Sequence, residues 1–137
     1  MNRADLQQIA EVRIQESRTL LSAGFPDGAY YLAGYAVECA LKACIAKRIH
    51  EHDFPEKKLV NDSHTHDLRK LLQLAELKIE LDAVVQIDPS MQARLNTVQD
   101  WSEASRYDRK TLQEATDLLE AVDDTKGGLL PWIMLRW

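Results

Sequence analysis

Apolar and polar positions follow a helical period along nearly all of this chain. From about Asp5 to Ala23, Leu6, Ile9, Ala10, Ile14, Leu20 and Leu21 form one apolar side and predict a first helix that Gly24 ends. A second helix opens near Pro26, where a missing backbone donor is no loss in the first turn. Between Ala29 and Ala46 almost every residue is apolar or small, and Glu38 and Lys42 are the only charged ones. Tyr30, Val37, Leu41, Cys44 and Ile45 supply a large apolar face. Ala29, Ala33, Ala36, Ala40 and Ala43 make a second seam, along which a neighbouring helix can come close. A helix this apolar all round belongs at the centre of its domain.

From His50 to Thr65 the period lapses into charged and turn-forming residues, including Pro55, Asn61, Asp62 and Ser63, and predicts one long loop. The next helix starts at about Thr65 or His66 and turns Leu68, Leu71, Leu72 and Ala75 inward. Ile79 to Ile87 fits a strand by alternation and a helix by Leu77, Leu81, Val84 and Val85; helix is preferred, because a lone strand has no partner elsewhere in the chain. Asp88-Pro89 reads as an N-cap and first-turn proline, with Met91, Leu95, Val98 and Ser102 on the inner side of the helix that follows. Thr111 and Glu114 make a capping box for a last long helix, whose Leu112, Ala115, Leu118, Leu119 and Val122 face inward until Gly127-Gly128 stops it. The tail from Leu129 to Trp137 is too apolar to hang in water, and docks either on its own bundle or on a second copy.

The chain has 137 residues, 45% of them hydrophobic and 28% charged, as expected of one globular domain spanning 1–137. No apolar run reaches bilayer length and the first residues lack the pattern of a signal peptide, so a cytoplasmic location without membrane insertion is expected. The two cysteines, Cys39 and Cys44, diverge by about 140° on a helix and read as small buried hydrophobes. A net charge of -5 excludes bulk electrostatic capture of nucleic acid, so any such contact must be local.

Candidate chemistry is confined to a few side chains. Glu38 and Lys42 lie one turn apart on the core helix; left unpaired, either would cost on the order of 3 to 5 kcal/mol. His66 can move protons near neutral pH, or simply cap or pack the helix it precedes. Arg106 has the planar fork to take Glu38 in two bonds, which would make a structural latch, and can equally hold a phosphate. Tyr107 and Trp101 can stack on a base or fill the core. The pairs His50-x-His52 and His64-x-His66 resemble metal spacing only loosely, and no metal or cofactor is expected. A Gly-rich phosphate loop, a nucleophile elbow and a paired-carboxylate motif are all absent, which argues against a conventional metabolic enzyme.

Taken in order, Tyr31, Ala36-Val37-Glu38, Leu41-Lys42-Ala43, a loop, His66-Asp67-Leu68 with Leu71-Leu72, and then Arg106-Tyr107 resemble the HEPN family, named for higher eukaryotes and prokaryotes nucleotide-binding. The resemblance runs from about Leu6 to Val122. It implies an all-α, four- to five-helix up-and-down bundle, here with a C-terminal apolar tail, usually a homodimer. It also implies a nucleotide or RNA ligand, and a small nucleotidyltransferase-like partner with which such proteins often act as toxin and antitoxin. Many active members are metal-independent RNases marked by an arginine and a downstream histidine with four to six residues between them. This chain departs from that pattern: all four histidines lie between residues 50 and 66, Arg48 is too close to His50 and His52, and no histidine follows Arg106.

Three functions follow as expectations. The first is a non-enzymatic binding module using Glu38, Lys42, His66, Arg106 and Tyr107. The second is an RNase toxin with His66 and Arg106 in a non-standard arrangement. The third is a dimerisation scaffold in which every one of these charges is structural.

Overall fold

The computed structural model describes residues 1–51, Phe54 and residues 56–137, the side chains of His50 and Glu51 excepted. Helices α1 (Arg3–Ser22) and α2 (Pro26–Glu51) form a helical hairpin. The first begins ahead of its apolar period because Asn2 caps it: the Asn2 side chain accepts from the Asp5 N–H and the Asp5 carboxylate accepts from the Asn2 N–H, both at 2.9 Å. At the turn, Gly24 adopts a left-handed φ of 87°, which lets the Gly24 and Phe25 N–H groups donate back to Leu21 and Leu20.

Burial of α2 follows the sequence pattern. Its five seam alanines and Tyr30, Val37, Leu41, Cys44 and Ile45 are all buried. Small side chains let α1 approach closely, and the one buried hydroxyl in that contact is satisfied: Ser17 donates to the Ala29 carbonyl at 2.7 Å. Both cysteines are free and buried.

The expected loop is interrupted by a short helix, α3 (Lys57–Asp62), whose Leu59 packs partly against the core. The long run of charges hid this element, since one inward side chain leaves no period to read. Pro55, His52 and the side chain of His50 lie outside the described residues, and with them the His50-x-His52 pair. Next come α4 (Leu68–Leu74), α5 (Lys78–Ile87) and α6 (Pro89–Gln99), a 3-10 turn over Glu103–Tyr107, then α7 (Leu112–Asp123) and α8 (Leu129–Met134). No strand occurs among the described residues, so the ambiguous 79–87 stretch is helix. Its strand-like alternation misleads: Leu81 is buried, but Ile79 and Ile87 are each 85% exposed.

The result is an all-α bundle with α2 at its centre, in contact with α1, α4, α7, α8 and the 3-10 turn, while α6 packs on α7 and α5 on α6. Two inward assignments change. Ser102 lies past the end of α6 as the cap of the 3-10 turn, and Leu112, in the first turn of α7, is 58% exposed. The Thr111–Glu114 capping box and the Asp88 N-cap form as expected.

The apolar tail docks on its own bundle. Leu129, Leu130 and Ile133 of α8 are buried, and the helix touches α2 and α7. Arg136 closes this end, with its guanidinium over the Trp132 ring and its Nε 2.6 Å from Glu80. Among the described residues no helix is long and apolar enough to cross a membrane.

Candidate functional site

Among the described residues Glu38 is the one charged residue in the core, only 2% exposed on the central helix. Its Oε1 accepts from Lys42 Nζ, one turn further on, at 3.0 Å and lies 2.8 Å from His66 Nδ1. The local sequence around residue 66 explains that reach. Asp67, not His66, caps α4, accepting from the Arg69 and Lys70 N–H groups at 2.9 and 3.3 Å. The helix therefore starts two residues later than the later of the expected positions, and His66 is left outside it, with its ring turned onto α2. Asp67 is an ordinary N-cap, with its side chain taking the first free N–H groups of the helix.

Beyond His66 the chain of charge continues. Its Nε2 is 3.3 Å from Glu103 Oε2, and the other oxygen of Glu103 is 3.7 Å from the Arg106 guanidinium. Arg106 thus pairs with Glu103 and not with Glu38, because the 3-10 turn carries it outward and its guanidinium lies 4.8 Å from the Tyr107 ring centroid. Lys42, Glu38, His66, Glu103 and Arg106 form one alternating run from the core to the surface. Glu103 was missed in the sequence, where its spacing of three from Arg106 is a common surface pair; only folding brings it to His66. Tyr107 is 78% exposed at the end of this run.

A cavity of about 460 Å³ opens beside His66. Residues 65–69 form one wall, and Gln99, Trp101, Ser102, Glu103 and Ala104 the other. His66–Glu103 ties the two walls together. Trp101 is 4% exposed and does not present its face for stacking on a base. Its indole stacks on Tyr31 with ring centroids 6.0 Å apart and lies flat on Gly34, where a Cβ would come within 2.3 Å of the ring. The indole fills the gap left by the missing side chain, which fixes this wall against α2.

Among the described residues three buried side-chain polar atoms have no hydrogen-bond partner: Glu38 Oε2, Trp101 Nε1 and Ser105 Oγ. All three belong to α2 beside His66 or to the segment that forms the Glu103 wall. Buried polar groups are normally satisfied, so their concentration here sets this region apart from the rest of the core. Burial also pushes the neighbouring Tyr35 hydroxyl up to about 12 and the Cys39 thiol to about 11, keeping both neutral. Among the described residues no three His, Cys, Asp or Glu side chains converge on a point where a metal would sit. Glu38 and Glu103 face opposite nitrogens of the His66 ring and do not share a focus.

Chemically, a buried carboxylate orients an imidazole whose outer nitrogen meets a carboxylate and then a guanidinium at a cleft wall. Both His66 contacts are hydrogen bonds only when both ring nitrogens carry protons. The set can hold an anion at the cleft and offers an exposed aromatic beside it. No curated protein and no solved structure gives a match to the chain. The family model described as HEPN domain matches residues 4–127, nearly all of the sequence, and the helical bundle agrees with it: the chain belongs to the HEPN family.

Proposed function

We propose that this chain is a non-enzymatic binding module of its family, taking a nucleotide or RNA at Glu38, Lys42, His66, Arg106 and Tyr107. One observation carries the reading: the buried polar atoms without protein partners are concentrated in the elements behind this cleft, Glu38 on α2 and Trp101 and Ser105 in the segment of the Glu103 wall, with the Glu38 carboxylate held at 2% exposure beneath His66. A structural latch would use both oxygens of Glu38. Here one oxygen takes both donors and the other takes none, an arrangement that serves positioning of His66 better than stability. In this reading the protein works as a homodimer and as one half of a toxin–antitoxin pair with a nucleotidyltransferase-like partner, as the family resemblance implies.

The test is a thermal-shift series with adenosine 5'-monophosphate and a short oligoadenylate. The melting temperature should rise with the logarithm of ligand concentration once the dissociation constant is passed. A flat series with both ligands overturns the reading.

A second reading, a metal-independent RNase, draws on one feature: Glu38 orients His66 through Nδ1, as an acid–base histidine requires. The absence of an arginine and a downstream histidine with four to six residues between them counts against this. RNA left intact by concentrated protein in chelator-containing buffer removes it; cleavage that His66→Ala abolishes would establish it.

A further inference from the structure

Glu103 stands in the outer, exposed part of the charged run, with no buried partner among the described residues. Its carboxylate has two polar partners among the described residues, His66 Nε2 at 3.3 Å and Arg106 at 3.7 Å. The three side chains are 35%, 48% and 45% exposed, and ion pairs this open to water hold weakly. His66, in contrast, is fixed from behind by Glu38 at 2.8 Å. A two-oxygen anion therefore bridges an imidazole and a guanidinium at the edge of a cleft large enough for a small ligand, and that anion is the protein's own. Arg69 lines the same cleft from the opposite wall.

We infer that the Glu103 carboxylate occupies the seat of a phosphate ester, and that a phosphate-bearing ligand binds by displacing it from His66 and Arg106. The inference rests on the binding function proposed above and names its ligand group. A phosphate offers the same paired oxygens with more charge, and it suits a guanidinium better than a single carboxylate does. Glu103 keeps its place on the 3-10 turn while its side chain swings to solvent, a change of rotamer and no more. The internal carboxylate thus sets a threshold: weak anions do not open the clasp between the walls, and a phosphate ester does.

Glu103→Gln tests this, because it keeps shape and removes charge. By titration calorimetry on the whole chain, adenosine 5'-monophosphate should bind the variant about tenfold more tightly than the parent, while binding of adenosine, which has no phosphate, should not change. Adding His66→Gln should remove the gain, with folding of each variant checked by circular dichroism and Glu103→Ala as an independent substitution. A 5'-phosphorylated oligoadenylate run in parallel separates the sources. A gain with the mononucleotide identifies a free nucleotide as the ligand, and a gain with the oligomer alone identifies an RNA end. Binding of adenosine monophosphate and the oligomer with unchanged affinity in Glu103→Gln, or an equal gain with adenosine, overturns the phosphate seat and leaves the binding function standing. No binding of any ligand to either protein overturns both.

Discussion

Toward α1 and α7, α2 presents alanines, valine and leucine, all fully buried, and the buried hydroxyl it meets there is satisfied by a backbone carbonyl. Toward residue 66 and the 3-10 turn, the same helix presents a carboxylate with one oxygen shared by two donors and the other by none. The difference shows how a single helix divides its work. Close apolar packing on one side supplies the stability that lets the other side keep a buried charge, whose net contribution to folding is small or unfavourable.

The comparison can be broken most forcefully on the dry side. Leu41→Ala removes a side chain with no exposure and should cost about 3 kcal/mol, within the usual 2 to 5 for such cavities. Urea unfolding measures the loss. Ligand affinity, read by calorimetry at a temperature where the variant is folded, should stay where it was. Equal damage to affinity would mean that the two sides are not separable.

Glu38→Gln is the mirror experiment. The two partners it strands reach water, Lys42 at 22% exposure and His66 at 48%, so the cost to stability should be modest, about 1 kcal/mol. His66 loses its charged anchor, and nucleotide affinity should fall about tenfold. A variant that loses several kcal/mol while binding normally would make Glu38 a latch and nothing more.

The smallest effect belongs to neither side. Bonds from Ser90, from the Thr111 N–H and from the Lys126 N–H hold the Asp88, Glu114 and Asp124 carboxyls, respectively, below their ordinary range. Because the folded values lie below the unfolded ones, these caps lend their full support above the ordinary carboxylate range. That support fades as pH falls through the lowered values. Unfolding free energy should therefore be level near neutrality and decline below about pH 4. Asp88→Asn should make the decline shallower without altering nucleotide binding.

Much of the architecture could be read from local signals. The alanine seam, Pro26, the Asp88 cap and the Thr111–Glu114 box each act within a turn or two of themselves, and each formed where its residues stand. Misreadings came where a local pattern and the tertiary environment disagree, as at Ser102 and Leu112, which fit an inward helical face by spacing yet lie at the cap of the 3-10 turn and in water, respectively. The cleft was only half legible. Glu38, Lys42 and His66 announced themselves by charge on an apolar background or by type, and they do meet. Glu103 did not, since an acid three residues before an arginine looks like any surface pair until a distant histidine is folded against it. Arg106 was assigned the wrong carboxylate for the same reason.

Residue 34 gives the contact under Trp101 a wider meaning. The indole that forms part of the cleft wall rests on bare main chain, and a single added methyl would collide with the ring. The shape of the recess is therefore written partly in a position that never touches its interior, and a screen for altered ligand preference that randomised only the lining side chains would pass over it.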